Sequence, residues 1–223
     1  HRTVESLGKV YKCHYPYESM KTARGAKKSA IYDRLKDQGA YFKDVSGWEG
    51  ADWYALEGQE AKIEKDTWGR AEWFANWEKE HKAAREDVIL MDMSFMSKFM
   101  VQGRDAGQVL DLISTNDVNS QLNRVTYTPW LNEGGKLEAD LTVAKLEEEK
   151  FLVVVTDTMH RHAETWLKKN IPADSHAFVS DMTSAYSQIN IQGPKSRALM
   201  QAITQTDMSN EAFHYRHIEE LSI

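Results

Sequence analysis

The sequence predicts an α+β fold: a mostly antiparallel sheet with helices on one face, preceded by an irregular, aromatic-rich connecting segment. Three observations lead there. From residue 88 onward, short apolar strands and helical patterns follow the order β-β-α-β-β-β-α-β-β-α. Within that half, Asn132-Glu133-Gly134-Gly135 separates two β-prone runs and marks a hairpin turn. Before about residue 75, in contrast, Gly8, Gly25, Gly39, Gly47, Gly50, Gly58 and Gly69 interrupt the chain, and aromatic residues fill the gaps. The expected division is therefore a connecting segment over 1–75 and a folded subdomain over 76–223.

The elements follow in order. Ser29 to Gly39 predicts a short helix, with Ser29 as N-cap, Ile31 and Leu35 four apart, and Gly39 just past the end. The rings of Gly47–Tyr54 (GWEGADWY) must be buried on something larger, and the segment is expected to wrap a neighbouring domain. Glu72 to Arg85 predicts a helix carrying Trp73 and Trp77. Val88–Met93 and Lys98–Gly103 predict two strands, and Asp105 to Ile113 a helix with Val109, Leu110 and Ile113 on one face. Strands are predicted over Arg124–Leu131, Leu137–Leu146 and Phe151–Val155, with the charged turn Glu147–Lys150 before the last. Thr158–Lys169 predicts a helix that ends before Pro172. Ala177–Val179 and Ser187–Ile191 predict strands, and Pro194 opens a last helix, Lys195–Ile203.

Composition narrows the function. Of 223 residues, 41% are apolar and 28% charged, which supplies a real core. A net charge of −6 argues against non-specific nucleic-acid binding and against a polybasic membrane surface. No apolar stretch approaches the roughly 20 residues of a membrane span, and His1–Glu5 lacks the apolar stretch of a secretory signal. Cys13 is the sole cysteine, so internal disulfides and multi-cysteine metal sites are excluded. These features suit a reducing compartment, the bacterial cytoplasm or the mitochondrial matrix. A first residue that is not Met, and an apolar rhythm resuming near Ile223, lead us to expect a piece of a longer polypeptide.

Candidate chemistry is sparse. In the strand after the hairpin, Leu137, Ala139, Leu141 and Val143 alternate with Glu138, Asp140 and Thr142. Asp140 is thus either a solvent-facing residue of a half-buried strand or a carboxylate on a sheet face, able to orient or deprotonate a nitrogen heterocycle. His160 and His162 are two apart on a helix, where metal ligands need a spacing of three or four. Cys13 and His14 are adjacent and have no third partner in sequence. Asp157 and Asp181 follow strands, a place for ligand-facing loops but also for ordinary turns. Gly47–Trp53 offers either an aromatic ligand cage or a core. Gly134-Gly135 sits in a hairpin and so forms neither a phosphate loop nor a dinucleotide fingerprint, and no Gly-x-Ser-x-Gly nucleophile elbow occurs.

Six segments in order carry a resemblance. They are Ser29–Ala40 (SAIYDRLKDQGA), Gly47–Ala55 (GWEGADWYA), Met91–Phe99 (MDMSFMSKF), Tyr127–Gly135 (YTPWLNEGG), Glu138–Val143 (EADLTV) and Ile191–Arg197 (IQGPKSR). From about residue 15 to about 213 the chain resembles the C-terminal half of dimethylglycine and sarcosine dehydrogenases, which is similar to the glycine-cleavage aminomethyltransferase (T-protein). The resemblance implies a tetrahydrofolate-binding part that captures the one-carbon unit released when a flavin domain oxidises an N-methyl amine. The resemblance places FAD in the parent protein and not on this chain, which lacks the flavin fingerprint. The chain then corresponds to the connecting segment plus the first folate-binding subdomain, truncated at its C-terminus, with the remaining domains of the parent as partners. Asp140 matches the family aspartate that bonds the pterin side of the folate and helps deprotonate N10 as N5 attacks an iminium or formaldehyde. Tyr127 matches the family's strand aromatic before the hairpin and is expected to line the cavity, and Thr156 falls where related sequences place a small or amide residue after the strand, a place for a folate contact; Pro129 and Trp130 depart from the family pattern. Two other readings follow from the resemblance. One is a non-catalytic relative similar to the regulatory subunit of pyruvate dehydrogenase phosphatase. The other is an enzyme for a different methyl donor such as a sulfonium compound.

Overall fold

The computed structural model describes all 223 residues and separates into two compact units, His1–Phe95 with Ser187–Ser196, and Met96–Tyr186 with Arg197–Ile223. Along the chain run α1 (Arg2–Lys9), α2 (Tyr32–Asp37), β1 (Ala40–Val45), β2 (Trp48–Tyr54), α3 (Phe74–Glu86) and β3 (Ile89–Asp92). Then come β4 (Ser97–Gln102), α4 (Ala106–Ile113), β5 (Arg124–Leu131), β6 (Leu137–Glu147) and β7 (Lys150–Val155). After a 3₁₀ turn (Asp157–Met159) follow α5 (His160–Asn170), β8 (Phe178–Asp181), β9 (Ile189–Gln192) and α6 (Ser196–Ile203). No helix is long and apolar enough to cross a membrane.

The first unit is more regular than its sequence rhythm suggests. Strands β1 and β2 pair antiparallel from Ala40↔Tyr54 to Val45↔Trp48. Their two-residue link, Ser46-Gly47, has φ of 50° and 89°, the positive pair that a type I′ hairpin turn requires. Leu35 of α2 packs on Ala40 and Phe42 of this hairpin. Behind it Trp53 lies parallel to Trp73 at 5.9 Å and to Tyr41 at 5.4 Å. Trp53 is 1% exposed, so the Gly47–Trp53 segment builds a core here rather than an aromatic cage. The helix expected from Ser29 starts only at Tyr32, because the Ser29 hydroxyl bonds the Asp92 carboxylate instead of capping. Gly39 keeps its place past the helix end, with φ of 85° and its N–H on the Lys36 carbonyl. Strands β3 and β9 form a second, two-stranded antiparallel sheet.

Charge pairing replaces apolar contact at the edge of this unit. Arg24 clasps the buried Glu49 carboxylate, which also accepts from the Gly25 amide at 2.6 Å. The guanidinium, first of these, holds the Glu49 carboxyl below its ordinary range. Glu5 accepts from the Thr22 hydroxyl, the Lys21 amide and the Thr22 amide, and these bonds lower it from 4.5 to about 2. A depressed carboxyl stabilises the fold fully above its unfolded value and loses that contribution as pH falls through the folded one. The gap in melting temperature between wild type and Glu5→Gln is therefore expected to be full at neutral pH and to close between 4.5 and about 2. A gap independent of pH in a melting series would contradict the assignment.

In the second unit the strands form one five-stranded sheet in the order β5-β6-β7-β4-β8, every neighbour antiparallel. Alternation sends Phe99, Val101, Trp130, Leu141, Val143, Phe151, Val153 and Val155 to one face. There Ala106, Val109 and Leu110 of α4 and Ala163 and Leu167 of α5 close the core. The α+β layer with helices on one face is thus as expected. The predicted hairpin also forms: the Asn132 side-chain oxygen accepts from the Gly134 amide at 3.0 Å and the Lys136 amide at 3.1 Å. Boundaries shift where local bonding outweighs the apolar pattern. The helix expected from Thr158 begins as the 3₁₀ turn and turns α-helical at His160. Strand β8 runs to Asp181 because it pairs along β4 as far as Phe99.

Candidate functional site

The sheet face opposite the helices carries the candidate chemistry. Registers β5–β6 and β6–β7 line up Tyr127, Thr142 and Val154 across three strands, and Val154 pairs on with Lys98 of β4. Directly opposite residues of an antiparallel pair share a face. One step along, Pro129 pairs with Asp140. Thr156 directly follows Val155, the last β7 residue of the β6–β7 register, whose partner Leu141 is next to Asp140 in sequence.

The register has a direct chemical result. Tyr127 donates its hydroxyl to Asp140 Oδ2 at 2.9 Å, across the diagonal between neighbouring strands. That hydrogen bond, followed by desolvation and the charge of Asp140, raises the Tyr127 phenol above its ordinary value. Tyr127 therefore stays a donor at neutral pH and fixes the direction of the carboxylate. Both side chains are exposed, with Tyr127 54% accessible. An ionised carboxylate has about four acceptor positions, and one phenol occupies one of them. Asp140 thus retains capacity to accept from a ligand N–H and to face a cationic centre.

Tyr127 and Asp140 are therefore placed on one face of β5 and β6, and Thr156 follows the end of β7. Thr156 is partly buried and points its hydroxyl to Asp157 at 3.3 Å, so it is a neighbour of the pair and not bonded to it. Lys98 joins this face without a sequence motif that singles it out. It is 3% exposed, and its ammonium bonds the Met96 carbonyl at 2.6 Å, toward the Asp140 end of the sheet. A lysine inside the apolar run Lys98–Val101 was the signal available in sequence.

The other candidates separate. His160 Nδ1 meets Ser97 Oγ at 2.9 Å, and its Nε2 lies 3.5 Å from Asp181. This resembles a nucleophilic triad in composition, but Ser97 is 1% exposed and beyond reach of a substrate. His162 turns to Glu138 at 2.9 Å. The two histidines thus serve different partners, and no group of three His, Cys, Asp or Glu is arranged to hold a metal ion. Cys13 is exposed and unpaired. Asp181 accepts from the Thr183 amide, a turn bond, and Asp157 from Thr156.

Residues 31–223 match the protein family described as GCVT N-terminal domain. The 4-methylaminobutanoate oxidase (formaldehyde-forming) of Paenarthrobacter nicotinovorans is 38% identical over 97% of this chain and 26% of its own length. The mitochondrial pyruvate dehydrogenase phosphatase regulatory subunit of Mus musculus is 28% identical over 100% of this chain and 26% of its own. Human mitochondrial sarcosine dehydrogenase is 26% identical over 96% of this chain and 27% of its own. The chain thus spans about a quarter of the length of these curated relatives. The crystal structure of glycine cleavage system aminomethyltransferase T from Bartonella henselae superposes with a TM-score of 0.65 at 22% identity, over 79% of this chain and 43% of that one, and shares the fold.

Proposed function

Because the chain belongs to the GCVT N-terminal domain family, we propose that it is the folate-binding part of an enzyme that oxidatively demethylates an N-methyl amine and passes the one-carbon unit to tetrahydrofolate. The observation that supports this most is the Tyr127–Asp140 bond on the open sheet face. The donor set suits a reduced pterin: an acceptor carboxylate for ring or bridge N–H groups, a phenol, a threonine hydroxyl and the Val154 side chain beside Thr142 for the flat ring. Tetrahydrofolate, when bound, supplies the nucleophilic nitrogen that takes up the one-carbon unit.

The residues then have defined tasks. Asp140 orients the ligand by accepting an N–H, takes up the proton lost as nitrogen becomes bonded to carbon, and stabilises the cationic carbon centre before attack. Tyr127 holds the carboxylate in that direction and lines the site. Thr156 contributes a hydroxyl contact at the margin. In this reading residues 1–75 connect to a flavin domain that carries the FAD and performs the oxidation, and this chain binds no FAD. The 4-methylaminobutanoate oxidase, whose name records formaldehyde formation, favours the demethylation branch over a sulfonium methyl donor.

The regulatory reading draws on the phosphatase subunit at 28% identity. The test separates amine oxidation from one-carbon capture in the complete polypeptide. Neutralising Asp140 should uncouple the two. Capture that persists unchanged would overturn its role, and a complete protein with neither activity would favour the regulatory reading.

A further inference from the structure

Helix α1 is amphipathic in the reverse sense of an ordinary surface helix. Arg2, Glu5 and Lys9, spaced i, i+3 and i+7, share one side. All three face the body of their unit. Arg2 donates to the Thr22 carbonyl and, at 3.0 Å, to Asp44. Glu5 takes the Lys21 and Thr22 amides at 2.7 and 2.8 Å, and Lys9 donates to the Ser19 carbonyl at 3.0 Å. Val4 and Leu7, three apart, lie on the opposite side, and Val10 and Tyr11 follow in the turn just past the helix end. These four are 73%, 63%, 92% and 70% exposed, in the order Val4, Leu7, Tyr11, Val10. No residue of α1 is buried. The polar side is bonded inward and an apolar stripe is presented outward, where a surface helix normally does the opposite.

We infer that this stripe is a docking surface for an apolar face of another domain carried on the same polypeptide. Size argues against a freely diffusing partner or a second copy. An eight-residue helix is about 12 Å long, so one of its sides falls well short of the ~800 Å² per partner of a stable free complex. A tethered domain needs no such area, because the linkage supplies an effective concentration in the millimolar range. The relatives provide room for such a domain, since this chain spans only about a quarter of their length. The inference rests on reading residues 1–75 as a connecting segment, and it adds which surface makes the contact.

The test compares thiol labelling in two forms of the protein, the 223-residue chain and the polypeptide encoded by the complete gene. Both carry Cys13→Ser, to remove the exposed native thiol, and Leu7→Cys. Gln108→Cys, an exposed position of the other unit, is the control. Maleimide labelling at Leu7→Cys should be at least ~10-fold slower in the complete polypeptide, with the control unchanged. Tyr11→Cys lies beyond the helix and gives the same reading should Leu7→Cys disturb α1. Equal rates in both forms would overturn the inference, as would protection in the short chain that dilution relieves, the mark of a second copy. A complete polypeptide that binds tetrahydrofolate but labels as fast as the short chain would sink the docking surface and leave the folate reading standing.

Discussion

Asp140→Asn in the complete polypeptide is expected to slow transfer of the one-carbon unit to tetrahydrofolate by ~100- to 1,000-fold while leaving amine oxidation within about 2-fold. The asparagine keeps the shape and one acceptor oxygen, so the ligand is still met by a polar group. It removes the charge that faces the cationic carbon and the base that takes the proton. Removing a preorganised charge or base commonly costs about two to three powers of ten, which sets the range. Tyr127→Phe should follow with a smaller loss, ~10-fold, because it deletes one charge-assisted hydrogen bond and leaves the carboxylate in place. Release of free formaldehyde, measured beside folate-bound product, reports the uncoupling. Equal loss of oxidation and capture would mean that Asp140 serves the fold and not the transfer.

The largest effect on stability is expected at Trp130. It is fully buried in the core between the sheet and its helices, and its indole N–H bonds Ser114 Oγ at 3.0 Å. Trp130→Ala empties a large volume in a close-packed interior and orphans that hydroxyl. A loss of ~3–5 kcal/mol follows from such truncations, a large share of the ~5–15 kcal/mol that holds a typical domain. Trp68→Ala is the contrast. Trp68 is 64% exposed and touches Tyr15 at a ring distance of 5.4 Å, so its removal should stay within ~0.5 kcal/mol. Urea unfolding of both variants checks the pair, and a Trp130→Ala loss below ~1 kcal/mol would contradict the core assignment.

Where sequence and structure agree, the reason is periodic burial. Leu137 to Val143 alternates strictly, so the face of Asp140 is legible in the sequence. The contact with Tyr127 was not, because it depends on the register of two strands and on a bulge between Trp130 and Leu131 that local pattern does not reveal. Lys98 shows the same limit: its place on this face follows from two successive pairings through β7. In the first unit the apolar rhythm failed for physical reasons. The β1–β2 hairpin is set by turn chemistry at Ser46-Gly47, and Trp53, Trp73 and Tyr41 order the chain by stacking between distant segments. Helix α1 was missed because its polar side faces inward, the reverse of what an amphipathic reading seeks. The resemblance to N-methyl amine dehydrogenases reached further than periodicity, since six ordered segments constrain a family where none alone constrains a site.

The central claim is that tetrahydrofolate binds on the sheet face of Asp140. The most direct measurement is an equilibrium titration of tetrahydrofolate into the complete polypeptide, followed by intrinsic tryptophan fluorescence, with Asp140→Ala alongside. Saturable binding that weakens at least ~10-fold in the variant is the predicted result, the loss of ~1.4 kcal/mol expected for a charge-assisted contact. Binding of equal strength in both proteins would contradict the claim.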